Sequence, residues 1–294
     1  MYTRQNWHRR WRKHGIYHFC SKNSRDGPPT CSLQNFAWPK LQKCPFDFDT
    51  LNLRRSGTLA SGYDGLVFGV RFGDNPTRYV LKVFWDIEPE HGYMAFQQEC
   101  VNAATLQMIE AAVQDAVSGS GPPIFINPDP KTQEDAWNNL DAFVDESRGA
   151  PRAEGDLRTM EVTEMPRMRK CHGWTKLHSS TLFGWEDKER KMSPWSYRDR
   201  EQKVERDLVE DDREYFGIVY EYIDEAKNDP TTVKNTADFL WRAGFAHVSV
   251  SLDRNWKSSV LIDLSDIHHP DNIGWLERRY GPRSPNEILV PDVY

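Results

Sequence analysis

Apolar positions in this chain gather into a few runs separated by long polar stretches. Leu66-Val67-Phe68-Gly69-Val70-Arg71-Phe72 and Tyr79-Val80-Leu81-Lys82-Val83-Phe84-Trp85 are rich in β-branched and aromatic residues, with Gly73-Asp74-Asn75-Pro76 between them. Two such runs around a Gly/Asn/Pro turn predict an antiparallel hairpin. From about Tyr93 to Val117 the composition shifts to Ala, Gln, Met and Glu, then stops before Ser118-Gly119-Ser120-Gly121-Pro122-Pro123, which predicts one long helix. Cys171 to Leu177 reads as a short strand, and Phe216 to Ile223 as a strand ending in acid. Asp229-Pro230 supplies an N-cap and a first-turn proline; Val233, Ala237, Leu240 and Trp241 then share a helical face, and Gly244 supplies the stop. Asp253-Arg254-Asn255 predicts a turn before an apolar strand from Ser259 to Leu264.

The polar stretches divide the chain. Residues 1–50 lack sustained periodicity and read as a disordered tail and linker, leaving 51–294 as the folded domain. Within it, 118–165 is rich in Pro, Asp and Asn and is expected to loop out, with a short helix near Trp137 to Val144. The segment 183–214, densest in charge from 186, is expected to be a solvated insertion. There is no internal repeat.

Length permits one large domain: 294 residues with 12% aromatics can bury a sizeable core. A mean hydropathy of −0.75 agrees with long solvated segments. No stretch reaches the roughly 18 uncharged apolar residues of a membrane span, and no apolar segment follows Met1, so neither a membrane anchor nor secretion is expected. The five cysteines, Cys20, Cys31, Cys44, Cys100 and Cys171, form no CxxC pair, which argues for a reducing compartment and against a zinc ribbon. The net charge of −6 conceals an asymmetry: residues 1–60 carry a local +8, and the remainder −14. The arm Trp7-His8-Arg9-Arg10-Trp11-Arg12-Lys13-His14 interleaves aromatic and basic residues. It admits four readings: a nucleic-acid contact, a nuclear-import signal, an inert tail, or, less well given its shortage of Ser and Ala, a mitochondrial presequence.

The order of chemical groups carries more information. A Gly-containing hairpin (Gly62-Tyr63-Asp64-Gly65) precedes a strand bearing Lys82, a helix with Glu99 seventeen residues later, a strand ending in Glu221-Tyr222, a helix, and an apolar strand closing on Asp263. That order resembles the ATP-binding half of a protein kinase, in which glycines let backbone N–H groups approach phosphates, a strand lysine pairs with a helix glutamate, and an aspartate holds the metal. The resemblance implies cofactor-binding roles for Gly62, Gly65, Lys82, Glu99 and Asp263, with ATP and Mg²⁺ as the cofactors. It lacks one part: His247-Val248-Ser249-Val250-Ser251-Leu252 has no Asp where a kinase carries its base, so no catalytic residue is assigned. Only 73 residues follow Glu221, too few for a full peptide-binding platform.

A narrower resemblance rests on Tyr63 to Phe72, Tyr79 to Phe84, Phe96 to Cys100, Ala142 to Arg148, Asp238 to Phe245 and Asn255 to Asp266. These stretches, spread over about 55–280, are similar to the fungal Fta-two-type subunit family, named for a subunit of the Sim4-type inner kinetochore complex and classed with kinase-like folds. The family implies a divergent, truncated protein-kinase-like α+β fold with a small β-rich lobe, one long helix and a reduced C-terminal lobe. It also implies a nuclear, kinetochore-associated pseudokinase-type scaffold with protein partners, the cytoplasm being the other location. An atypical ATP/Mg-dependent phosphotransferase and a nucleic-acid-associated protein acting through residues 1–60 are the alternatives.

Each motif also has an ordinary structural reading. Gly62 and Gly65 suit a plain β-turn, and Lys82 a snorkelling surface lysine. Asp263, inside an apolar run, requires a partner in either reading. Asp266, His268 and His269 are expected on a surface loop before Pro270, and no metal site is assigned to them.

Overall fold

A computed structural model describes residues 19–24, 27–53, 57–86, 94–149, 155–183, 195–199, 204–208, 212–248 and 252–291. The architecture is α+β, built on an eight-stranded sheet. Its strands are β1 (Cys20–Ser24), β2 (Leu41–Lys43), β3 (Leu51–Asn52), β4 (Thr58–Ser61), β5 (Gly65–Phe72), β6 (Tyr79–Phe84), β7 (Cys171–His178) and β8 (Glu214–Glu221). The spatial order is β1-β2-β7-β8-β6-β5-β3, with β4 also pairing β5. The predicted hairpin is β5–β6, antiparallel with Gly65 opposite Phe84 and Val67 opposite Lys82. β8 runs antiparallel to both β6 and β7, whereas β1–β2 and β2–β7 are parallel.

Period-two alternation assigns the two faces of the central strands. Val80 and Phe84 of β6, with Phe216, Ile218 and Tyr220 of β8, belong to the core beneath helix α1 (Ala95–Val117). Leu81, Val83, Tyr215 and Val219 point the other way, into a second core with Phe68, Phe72 and Leu177. Lys82 therefore shares the helix-facing side with Val80 and Phe84. Helix α1 is buried almost all round over its first half, since the sheet covers one side and a C-terminal segment covers another. Helix α2 (Pro230–Arg242) carries the predicted cap, with the Asp229 carboxylate accepting from the Thr232 N–H at 2.8 Å, and Gly244 ends it at φ 102°.

Three expectations need correction. Residues 1–50 are not all tail and linker: β1 and β2 extend the sheet, and Phe19, Cys20, Cys31, Phe36 and Leu41 are buried in the main core. The Trp174 indole donates to Ser21 O at 2.8 Å and the Cys31 thiol to Met108 O at 3.2 Å, tying the segment to β7 and α1. The basic arm at Trp7 to His14 lies outside the described residues.

The described residues of segment 118–165 pack against the core rather than looping out. They form helix Gln133–Asp141 with a Thr132/Asp135 capping box, and they bury Ile124, Ile126, Leu140, Phe143 and Val144. Asn139 fastens them to the end of α2, donating to Asn127 O at 2.9 Å and Arg242 O at 2.8 Å. The expected strand from Ser259 to Leu264 shrinks to Val260–Leu261, paired with Trp256–Lys257. Ser258 and Ser259 take positive φ and turn the chain too tightly for a longer ladder. Of 183–214, residues Trp195–Asp199 and Val204–Leu208 form an antiparallel pair outside the main sheet. No helix among the described residues is long and apolar enough to cross a membrane.

Candidate functional site

Strand β6, helix α1 and the short helical turn after Asp263 converge on one buried cation. Alternation in β6 points Lys82 towards α1, and the register of the first helical turns brings Glu99 opposite it. The Lys82 ammonium donates to Glu99 Oε1 and, at 3.0 Å, to Asp263 Oδ1. The Tyr220 hydroxyl, on the same face of β8, donates to Glu99 Oε2 at 2.7 Å. Exposure ranks the three charged side chains: Glu99 is 1% exposed, Lys82 9% and Asp263 29%, so Asp263 is the member that faces solvent.

The Asp263 loop is held by two amides on one face of α1. Gln98 Nε2 reaches Ser265 O at 3.0 Å and Ile267 O at 2.9 Å, and Asn102 Nδ2 reaches Leu264 O at 2.8 Å and Ile267 O at 2.7 Å. Within the loop, Asp263 Oδ1 accepts from the Ser265 N–H at 3.1 Å and hydroxyl at 2.7 Å. The same hydroxyl lies 3.0 Å from Asp64 Oδ2, which reaches across from the Gly62–Gly65 turn. Asn255 Nδ2 donates to Asp266 Oδ2 at 2.8 Å. On the strand side, Arg169 donates to Ile262 O at 2.7 Å and stacks on Tyr220, with its guanidinium carbon 4.6 Å from the ring centre.

Two carboxylates thus hold Lys82 directly, with Asp64 and Asp266 nearby, and the ionisation of these groups is divided by environment. Burial alone would lower the Lys82 pKa, but the charges of Asp263, Glu99 and Asp64 outweigh it and raise it, so the ammonium stays charged. Burial pushes Glu99 up to about 7, against the pull of Lys82. Asp263 goes the other way: burial would raise it, yet Lys82 and Ser265 hold it below the usual carboxylate range. Burial, reinforced by the Asp263 charge, pushes Asp266 up to about 7.

Of the residues singled out in the sequence, Lys82, Glu99 and Asp263 come together, beside the turn that carries Gly62 and Gly65. The two glycines separate. A Cβ on Gly65 would sit 2.2 Å from Val83 O, so its bare backbone is required by the neighbouring strand, whereas a Cβ on Gly62 would meet nothing within 4 Å. The Gly62 N–H donates to Gly65 O at 3.0 Å, within the turn. Asp266, His268 and His269 are buried, not on a surface loop, because the strand pair of Ile267–His268 with Ala246–His247 turns them inward. Among the described residues no three His, Cys, Asp or Glu side chains are grouped to hold a metal ion.

Sequence reasoning passed over Asp64, Gln98, Asn102, Arg169 and Tyr220. Only the Gln98/Asn102 pair left a signal, two amides one helical turn apart near the start of α1. The described fold and site stand without a relative to compare: no family model matches the chain, and neither a curated protein nor a solved structure matches it.

Proposed function

We propose that this chain is a kinase-like protein that works without catalysis, as a scaffold for protein partners. One observation carries the reading: a strand lysine ion-paired to both a helix glutamate and a loop aspartate, beside a Gly-containing hairpin. Protein kinases assemble their phosphate and metal ligands from the same residue types in the same chain order. The absence of catalysis follows from the stretch His247 to Leu252, which contains no Asp to accept the proton of an attacking hydroxyl. The fungal kinetochore setting rests on the six motif stretches that resemble the Fta-two-type family.

ATP and Mg²⁺ fit this site only in part. Asp263, Asp266 and Asn255 supply oxygen atoms of the kind Mg²⁺ takes, and Lys82 is a phosphate partner. The Asp64 carboxylate, however, brings a negative charge to the space between the turn and Asp263, where a phosphate chain would lie. That charge opposes the phosphates of a nucleoside triphosphate at this position.

The test is phosphate release from ATP with Mg²⁺ by the purified chain and by Asp263→Ala. Equal rates at background are expected. An Asp263-dependent rate would overturn the scaffold reading and promote the atypical phosphotransferase.

A further inference from the structure

The Gly62–Gly65 turn is fastened in a closed position by more than its own hydrogen bond. The Trp85 indole N–H donates to Gly62 O at 2.8 Å, and the Trp85 backbone N–H to Asp64 O at 3.3 Å, so the end of β6 grips both sides of the turn. This grip aims Asp64 at the charged centre. Its Oδ2 lies 3.0 Å from the Ser265 hydroxyl, which is itself 2.7 Å from Asp263 Oδ1, the oxygen that Lys82 also holds. A hydroxyl has one proton to donate. Two carboxylates sharing it are therefore served one at a time, and the contact sets two like charges near each other with a cation behind them.

We propose that Asp64 is an internal competitor for the anion position of this site: its carboxylate, tied through Ser265 to Asp263 beside Lys82, keeps nucleotide phosphate out until the turn lifts. The inference rests on the kinase-like reading and adds its regulation. Two features support an occupied position. Asp64 is close enough to contribute to the charge that holds Lys82 ionised. The Gly62 N–H, one of the backbone donors that a phosphate-cradling loop offers to its ligand, is already used inside the turn. Lifting the turn breaks the Ser265 contact and the two Trp85 contacts, and nucleotide binding then exchanges one anion beside Lys82 for another. A partner that lifts the turn would thereby open the site, linking assembly to nucleotide binding.

Affinity for Mg²⁺·ATP and for adenosine, measured by titration calorimetry, tests this on the full chain. The set is wild type, Asp64→Ala, Ser265→Ala and Asp64→Ala/Lys82→Met, each checked first by circular dichroism to be folded under the titration conditions. Asp64→Ala is expected to bind Mg²⁺·ATP about tenfold more tightly than wild type or better, the equivalent of about 1.4 kcal/mol. Ser265→Ala, which unties the carboxylate but leaves it in place, gains less. Adding Lys82→Met abolishes the gain, and adenosine, having no phosphate, does not discriminate among the variants. Equal, Lys82-dependent binding of ATP by wild type and Asp64→Ala would overturn the competitor while leaving the kinase-like reading intact. A gain that extends to adenosine would overturn anion competition. No ATP binding by any variant would overturn the competitor and the nucleotide site together.

Discussion

Gly62 and Gly65 bracket one turn and answer to different constraints. Gly65 lies against the Val83 carbonyl, where an added methyl group would meet backbone that cannot rotate away. Gly62 faces open space at an ordinary φ. Gly65→Ala is expected to destabilise the chain by about 1 to 3 kcal/mol, the usual cost of overpacking, and Gly62→Ala to change stability by no more than about 0.5 kcal/mol. Urea unfolding midpoints of the two variants check this, and equal losses would mean that the turn is not seated as described. At this scale the sequence revealed the charged residues better than the reasons for the small ones. Lys82 and Asp263 stand out because a charge in an apolar run must find a partner, and Glu99 by its place seventeen residues after Lys82 on the following helix. Asp64 did not stand out, since an acid beside a glycine is an ordinary turn residue, and only the convergence of its turn with the Asp263 loop gives it a role.

The N-terminal segment shows how an element escapes a reading of periodicity. β1 and β2 are five and three residues long, too short for alternation to register, and the helix between them has only five residues. Their order comes from partners far along the chain, chiefly Trp174 of β7 and Met108 of α1. Long elements with their own signals, the β5–β6 hairpin and helices α1 and α2, were legible because cap, period and stop all lie within the segment. Segment 118–165 was misread for the same reason as the N-terminus, its Pro and Asn content masking apolar residues spaced for a tertiary partner. A chain starting at Leu51 loses Phe19, Phe36 and Leu41 from the core, each contributing about 1.5 to 3 kcal/mol when fully buried. That sum is comparable with the whole stability of a typical domain. The Leu51 chain is therefore expected to lack a cooperative thermal transition, and a chain starting at Phe19 to retain one, with circular dichroism as the readout. A sharp transition in the Leu51 chain would contradict the placement of β1 and β2.

For the molecule as a whole, burial of titratable groups sets a pH dependence whose sign is fixed by their balance. Burial brings His172, His247 and His268 down to about 4, and lowers His269 as well. The unfolded chain takes up these protons near the ordinary histidine value of 6.5 while the folded chain does not. Their contribution is thus fully present above about pH 6.5 and is lost as pH falls towards 4. Glu99 and Asp266, pushed up to about 7, act oppositely, holding protons that the unfolded chain has released. Four histidines against two carboxyls leave a net loss of stability on acidification from pH 6.5 to 4.5. Asp266→Asn should steepen that loss, because one opposing group is gone, and His247→Gln should flatten it. Urea midpoints across that range test both signs, and a steeper loss for His247→Gln would contradict the assignment.

The convergence of β6, α1 and the Asp263 loop on one shared charge underlies both the fold and its functional reading, and a double-mutant cycle at Lys82 and Glu99 tests it most directly. Lys82→Met leaves a buried carboxyl without its cation and is expected to cost about 3 to 5 kcal/mol. Glu99→Gln keeps the Tyr220 contact but removes the pair. If the two side chains are partners, the double variant loses less than the sum of the single losses, by about 1 to 3 kcal/mol in urea unfolding. Losses that add to within about 0.5 kcal/mol would show that Lys82 and Glu99 do not meet, and the charged centre would fall with them.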